Sequence, residues 1–495
     1  MSPAASAEQT APAPAPPERP QADGYCFLRH VLLLPYLPNA REQTLTCRII
    51  VTSIVSVAAA AAPLGSTILM PALQPIAHHF DTSATMVNLS VALYSQAVAI
   101  TPLWWSSLAE ARGRRPVYLL SFLLFGIFNA CCAVSATMPM FLAFRVLAGG
   151  AAASVQAVGA ASVADVWELS HRGRAMSAFF LGPMLGPLVA PVLGGALSQR
   201  WGWRSTQWAM AVYSGLLWLA ALVLLPETSA TAARGGAGAG AGAAGPGQRR
   251  RRAWRRAADA LVLPVKVVPL LRRPAVLAAV SYASVTFMSY YVLNISLETT
   301  FARPPYGFSS LVVGLMYVPA ALGYVLAGVL GGRWTDRVRR RAAARRAQAR
   351  EGEPDAARPQ PQDVIGANAW LAAATYPAAL LAYGWLAEKH VLWIAPCLAT
   401  FFYGAGNMMA FNVSTIMLSE LIRDRPSTGV ALNNLVRNTL ACGAAIVAGP
   451  LMDAIGNGWL FTAVAVICWA SAVALLLLLR NGEAWGARGA VEPKG

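Results

Sequence analysis

An all-α membrane protein of twelve transmembrane helices in two six-helix bundles is the fold class that the sequence predicts, on three observations. Apolar residues make up 56% of the 495-residue chain and charged residues 12%, against about 25% charged in an average soluble protein. Apolar segments of the roughly 20 residues needed to cross a bilayer core recur twelve times. Lys and Arg fall on alternate sides of those segments: with the N-terminus inside, 33 of the 39 lie on the inner side, 4 outside and 2 within spans, as the positive-inside rule requires. That placement also accounts for the net charge of +17. The basic runs Arg249 to Arg252 and Arg337 to Arg346 read as topology determinants and contacts for anionic inner-leaflet lipid. No base-stacking module accompanies them, so nucleic acid is not an expected partner.

Residues 1–47 are rich in Pro, Ala, Glu and Gln and lack the basic start of a secretory signal. They are expected to form a disordered cytoplasmic tail, with an apolar run at Phe27 to Leu37 that is too short to span and suits the membrane surface. The first bundle, 48–228, has spans near 49–70, 86–107, 116–137, 141–164, 175–197 and 205–226. A Gly/Ala- and Arg-rich cytoplasmic linker, 229–273, follows. The second bundle, 274–480, has spans near 274–296, 309–331, 365–386, 391–417, 428–451 and 458–480, and 481–495 form a cytoplasmic tail. The halves echo each other: the turn at Ser106, SSLAEARGRRP, returns as GGRWTDRVRRR at Gly331, 225 residues on. Two parallel bundles place the substrate path between them. The seven cysteines show no CxxC spacing and read as buried thiols.

The fifth span is expected as a proline-kinked helix. It carries two rows at a period of four: Gly182, Gly186, Ala190 and Gly194 beside Pro183, Pro187, Pro191 and Gly195. Residues four apart share a helix face, so this helix presents almost no side chain there and another backbone can come close. Each proline also frees a carbonyl that a neighbouring helix must satisfy.

In the turn LAEARGRRP, Leu108, Ala109, Gly113, Arg114 and Arg115 match the signature between the second and third spans of the major facilitator superfamily, which the chain resembles. Ser106, Glu110 and Ala111 depart from it. The resemblance extends to FRVLAGG, with Arg145 in place and Ala148 where Gln is usual, and to GPMLGPLVAPVLGG, which is similar to the antiporter signature of the exporters. With ADVW at Ala164, HRGRA at His171, PET at Pro226 and the segment Ser427 to Trp459, it points to the fungal twelve-span drug:proton antiporters, quinidine-resistance and spore-wall exporter branch. It implies a secondary transporter that exports small molecules against protons, acts as a monomer and sits in the fungal plasma membrane. Gating is expected from Glu110, Gly113, Arg114 and Arg115 with Asp165, Asp336 and Arg337, Glu110 latching the inner side.

Polar and aromatic residues at steps of three and four draw one face on the seventh span (Ser284, Phe287, Tyr291, Asn294, Glu298) and one on the tenth (Tyr403, Asn407, Phe411). With Tyr94 and Gln96 of the second span, Arg145 of the fourth and Asn434 and Arg437 of the eleventh, these supply the candidate substrate contacts. Aromatics and amides suit an amphipathic organic molecule. Two arginines and a single rim carboxylate make the cavity neutral to positive, so the expected cargo is neutral or anionic. No histidine lies within a span, no carboxylate lies near a midplane, and no phosphate-cradling glycine loop occurs. No nucleophile, metal-ligand or cofactor constellation emerges, so an enzyme is not expected. An uptake symporter of the same fold and a non-transporting membrane sensor are the alternatives.

Overall fold

A bilayer interior offers backbone N–H and C=O groups no water, so the protein itself must satisfy them, and the apolar segments fold as helices accordingly. The computed structural model describes residues 45–228, 268–328, 367–421 and 426–480, with Trp334, Arg337 and Arg341 singly. Residues 1–44, 229–267 and 481–495, Asp336 and most of the two basic runs lie outside the described residues, while residues 45–47, expected in the tail, begin α1 with Cys47 buried. The first bundle comprises α1 (Leu45–His79), α2 (Ala84–Ile100 continued by Pro102–Arg112), α3 (Arg114–Ala133), α4 (Met138–Ala152 continued by Ser154–Val166), α5 (Leu169–Trp201) and α6 (Arg204–Leu224). The second comprises α7 (Pro274–Ala302), α8 (Ser310–Gly328), α9 (Ala367–Glu388), α10 (Ile394–Leu421), α11 (426–455) and α12 (457–480).

Ten helices among the described residues are long and apolar enough to cross a membrane. The longest, Leu432–Leu475, is two helices that meet at Gly456, whose φ of 78° breaks the helical run. The 22-residue α9, more aromatic than its neighbours, completes the twelve. Apolar side chains on α3 (Leu120, Leu123, Ile127), α6 (Val212, Leu216, Leu219) and α12 (Val466, Ile467, Val473) stay exposed and form the lipid-facing belt. One end of the molecule carries Arg112, Arg114, Arg115, Arg272 and Arg273, and is called the basic end below. The other is the far end.

Two turns reach directly from one helix into the next through a glycine that an L side chain could not replace without strain, Gly113 (φ 99°) and Gly456 (φ 78°). At each, a carboxylate from a third helix end or its extension accepts the first free N–H groups of the new helix. Glu227 takes Arg114 N–H (2.8 Å) and Arg115 N–H (3.1 Å), and Glu388 takes Asn457 N–H (2.8 Å) and Gly458 N–H (3.4 Å). The device satisfies donors that a helix start otherwise leaves orphaned, at the basic end of one bundle and the far end of the other.

The two small-residue rows of α5 meet different partners. Ideal Cβ atoms on Gly182 and Gly194 would run into the backbone carbonyls of Ser56 and Ile68 on α1, and one on Gly195 into that of Ser310 on α8. Gly186 is less tight, its nearest contact being Pro63 at 3.2 Å, so closest approach lies at the ends of the row and not at its centre. Pro183, Pro187 and Pro191 leave α5 a single 33-residue helix. Ser56 Oγ donates to the carbonyl of Phe179 (3.2 Å), which Pro183 frees, as well as to that of Ala178 (2.9 Å).

Candidate functional site

The bundles touch along the far half of their interface. On α7, Tyr291 Oη pairs with Ser66 of α1 (3.1 Å) and Ser95 of α2 (2.5 Å), and one helical turn beyond Asn294, Glu298 Oε1 accepts the Gln74 N–H of α1 (3.2 Å). Gln199 of α5 accepts the Leu311 N–H of α8 (3.2 Å), close to the Gly195 contact. Gln96 Nε2 donates to Thr439 Oγ1 between α2 and α11 (3.1 Å). Toward the basic end, Pro102–Arg112, Ser154–Val166 and α10 make their substantial contacts within their own bundles. Among the described residues, the hydrogen bonds between the bundles thus gather toward the far end of the path between them.

Arg437 lies two residues to the basic-end side of the Gln96–Thr439 contact. Its guanidinium carbon lies 4.2 Å from the ring centre of Phe287 on α7 and 5.2 Å from that of Phe411 on α10. All three side chains are half-buried, as is Asn434 one turn away. No carboxylate pairs with Arg437 among the described residues, and its Nε has no partner there. Ring faces stabilise a cation by about 0.5–2 kcal/mol, less than a buried charge loses in leaving water. A guanidinium beside two rings with its Nε unpartnered among the described residues suits an anionic or strongly accepting group.

The other sequence candidates divide by position. Tyr291, Glu298 and Gln96 make contacts between the bundles, while Asn294 is buried and its carbonyl accepts from Tyr317 of α8 in its own bundle. Tyr403 and Asn407 instead hold the second bundle together: Asn407 donates to Tyr403 Oη and the Thr286 carbonyl (2.9 Å each), while Tyr324 donates to Asn407 (2.9 Å) and Ser289 pairs with Tyr403 (3.0 Å). Tyr94 and Arg145 are buried in the first bundle, beside the Ser66 and Ser95 contacts with Tyr291. Tyr94 donates to the Ala62 carbonyl (3.2 Å) and fills the space that Gly149 leaves open. Arg145, fully buried, donates to the Gly65 carbonyl (3.0 Å) and lies 4.2 Å over the Tyr94 ring. The carbonyls they take belong to the short helical stretch Ala61–Thr67 of α1, just before its 3-10 turn.

At the basic end, Arg114 Nε points to Asp165 of α4 (3.5 Å) and Arg115 Nη2 donates to the Leu222 carbonyl of α6 (2.7 Å). Glu110 is exposed, and Arg114 pairs with Asp165 in its place. Arg337 is exposed and Asp336 lies outside the described residues. Sequence reasoning missed Ser66, Gln74, Ser95 and Thr439 as interface residues, because single hydroxyls and amides also serve ordinary helix packing. Glu227 stood in the PET motif, which was the signal for it.

The family model of the Major Facilitator Superfamily matches residues 55–445. An MFS transporter of Beauveria bassiana, OpS2, is 48% identical over 346 residues, covering 68% of this chain and 98% of the relative. The MFS antiporter QDR3 of Candida albicans is 29% identical, covering 92% and 81%. Among solved structures, a D-xylose-proton symporter superposes with a TM-score of 0.60 at 14% identity, covering 87% of this chain and 97% of that one. The extent of the family match and the two six-helix bundles agree: the chain is a multi-pass membrane protein and belongs to the major facilitator superfamily.

Proposed function

We propose that the protein is a secondary active exporter of a small amphipathic organic molecule, neutral or anionic, working by alternating access with proton antiport. Arg437 beside Phe287 and Phe411, next to the Gln96–Thr439 contact between the bundles, is the observation that carries this reading. Cargo enters from the basic end, where its aromatic or alkyl body meets the two rings and its acceptor meets the guanidinium. The bundles then rock, breaking the Gln74, Gln199 and Tyr291 contacts and closing the basic end. The charge distribution supports a cytoplasmic basic end with both termini on that side, in the plasma membrane, and a monomer that rests on anionic lipid. Export is supported by the α5 glycine and proline rows and by relatives named as an antiporter and as an efflux pump.

Purified protein in vesicles with an imposed pH gradient tests this. A permanently charged naphthalenesulfonate should be driven by the gradient, and Arg437→Gln should lower its transport about 10- to 100-fold, the equivalent of roughly 1.5–3 kcal/mol for a charged hydrogen bond. A neutral naphthalene analogue should lose far less. Preference for quinidine or spermine over the sulfonate, unchanged by Arg437→Gln, would overturn the charge assignment.

A further inference from the structure

Glu298 is a carboxylate at the closing surface that the cargo route leaves unused. It lies one turn from the far end of α7 and is 2% exposed, with Oε1 3.2 Å from the Gln74 amide nitrogen of the opposite bundle. From α8, Tyr317 comes close but donates its hydroxyl to the Asn294 carbonyl (2.8 Å). Arg303, just past the end of α7, is paired with Asp453 of α11 (2.9 Å). On α1, the titratable groups beyond Gln74 are His78 and His79, both exposed, with His79 packed on Phe80 and Trp203. No cation stands within ion-pair distance of Glu298 among the described residues. The closed interface thus gives the carboxyl one neutral donor and almost no water.

A lone amide N–H does not replace the hydration of an ionised carboxylate, whereas a neutral carboxyl needs little more than that one bond. The Gln74 contact spans the bundles, so it exists only while the far end is shut. When α1 and α7 part there, the same carboxyl faces the far aqueous phase. We propose that Glu298 is a proton-binding site that must be filled for the far end to close: the carboxylate takes a proton from the far side while α1 and α7 are apart and carries it into the interface as they meet. This deepens the antiport reading above and rests on it for the direction of net transport, since the empty transporter would return toward the basic-end-open state carrying a proton from outside. Asn294 and the Tyr291 hydroxyl cluster lie within two helical turns, on the way toward the basic end.

The test uses the full chain with its native cysteines replaced and nitroxide labels at Ala84→Cys and Leu392→Cys, exposed far-end sites on opposite bundles. Without any cargo, acidic buffer should shorten the interlabel distance and alkaline buffer lengthen it. Glu298→Gln should stay short in both, and Glu298→Asp should respond with a shifted midpoint. His78→Gln with His79→Gln should respond as the parent does. A Glu298→Gln protein that still follows pH, or a parent that does not, overturns the proposal. If Glu298→Gln does not fold, an unshifted midpoint in Glu298→Asp overturns it equally. Sulfonate flux in the vesicle assay separates the two readings. A parent whose gate follows pH but whose flux ignores the gradient refutes antiport and leaves the Glu298 site standing. Gradient-driven flux that persists in Glu298→Gln, with its gate still following pH, refutes the Glu298 site and leaves antiport standing.

Discussion

Charged residues in apolar spans stand out in a sequence because each must be explained by a partner or a cavity. Arg437, Glu298 and Arg145 were all visible for that reason. The same rule could not say that Arg145 donates to the Gly65 carbonyl while Arg437 stacks on rings of α7 and α10, since that choice depends on the partners that neighbouring helices offer. Ser66, Ser95 and Thr439 were invisible, because a hydroxyl in a span is ordinarily returned to its own helix, as Thr52 is to the Arg48 carbonyl (2.8 Å). Glu227 and Glu110 make opposite predictions at this scale. Glu227→Gln weakens two bonds to the start of α3 and should lower thermal stability, by about 1–3 kcal/mol if one donor is left unsatisfied. Glu110→Gln, on an exposed side chain, should leave stability within about 0.5 kcal/mol and act only on how readily the basic end closes. Thermal unfolding of both variants in detergent checks the contrast.

At the scale of the element, hydropathy and charge alternation carried the twelve helices and their order. They did not carry the break of α1 around its short 3-10 turn at Met70–Ala72, whereas α5 runs as one helix through its three prolines, as expected from the sequence. The glycine rows were legible as a packing face, but their two partners were not. That division has consequences. Gly194→Leu meets the Ile68 backbone and should cost about 1–3 kcal/mol or more through forced displacement of α1, whereas Gly186→Ala, facing the Pro63 ring, should be tolerated. Gly195→Val acts across the bundles and should hold the far end apart without lowering stability, because it opposes α8 and not a helix of its own bundle. Far-end labelling of an introduced cysteine and a melting curve, taken together, distinguish the two effects.

For the whole molecule, the internal repeat made two bundles legible and placed a path between them. Which end is closed was not legible, since one sequence must satisfy both states and its pattern averages over them. Among the described residues, hydroxyls, amides and glycine contacts shut the far end, with Glu298 the one carboxyl among them. The described ion pairs, Arg48 with Glu168, Arg114 with Asp165 and Arg303 with Asp453, all join residues of one bundle. Electrolyte weakens attraction between opposite charges over a Debye length of about 10 Å at 0.1 M and about 3 Å at 1 M, but it has little hold on neutral bonds. The closure equilibrium at the far end should therefore stay nearly constant from dilute to concentrated salt at fixed pH, and the interlabel distance measured across that range checks it. A gate built this way shuts as readily against a briny solution as against a fresh one.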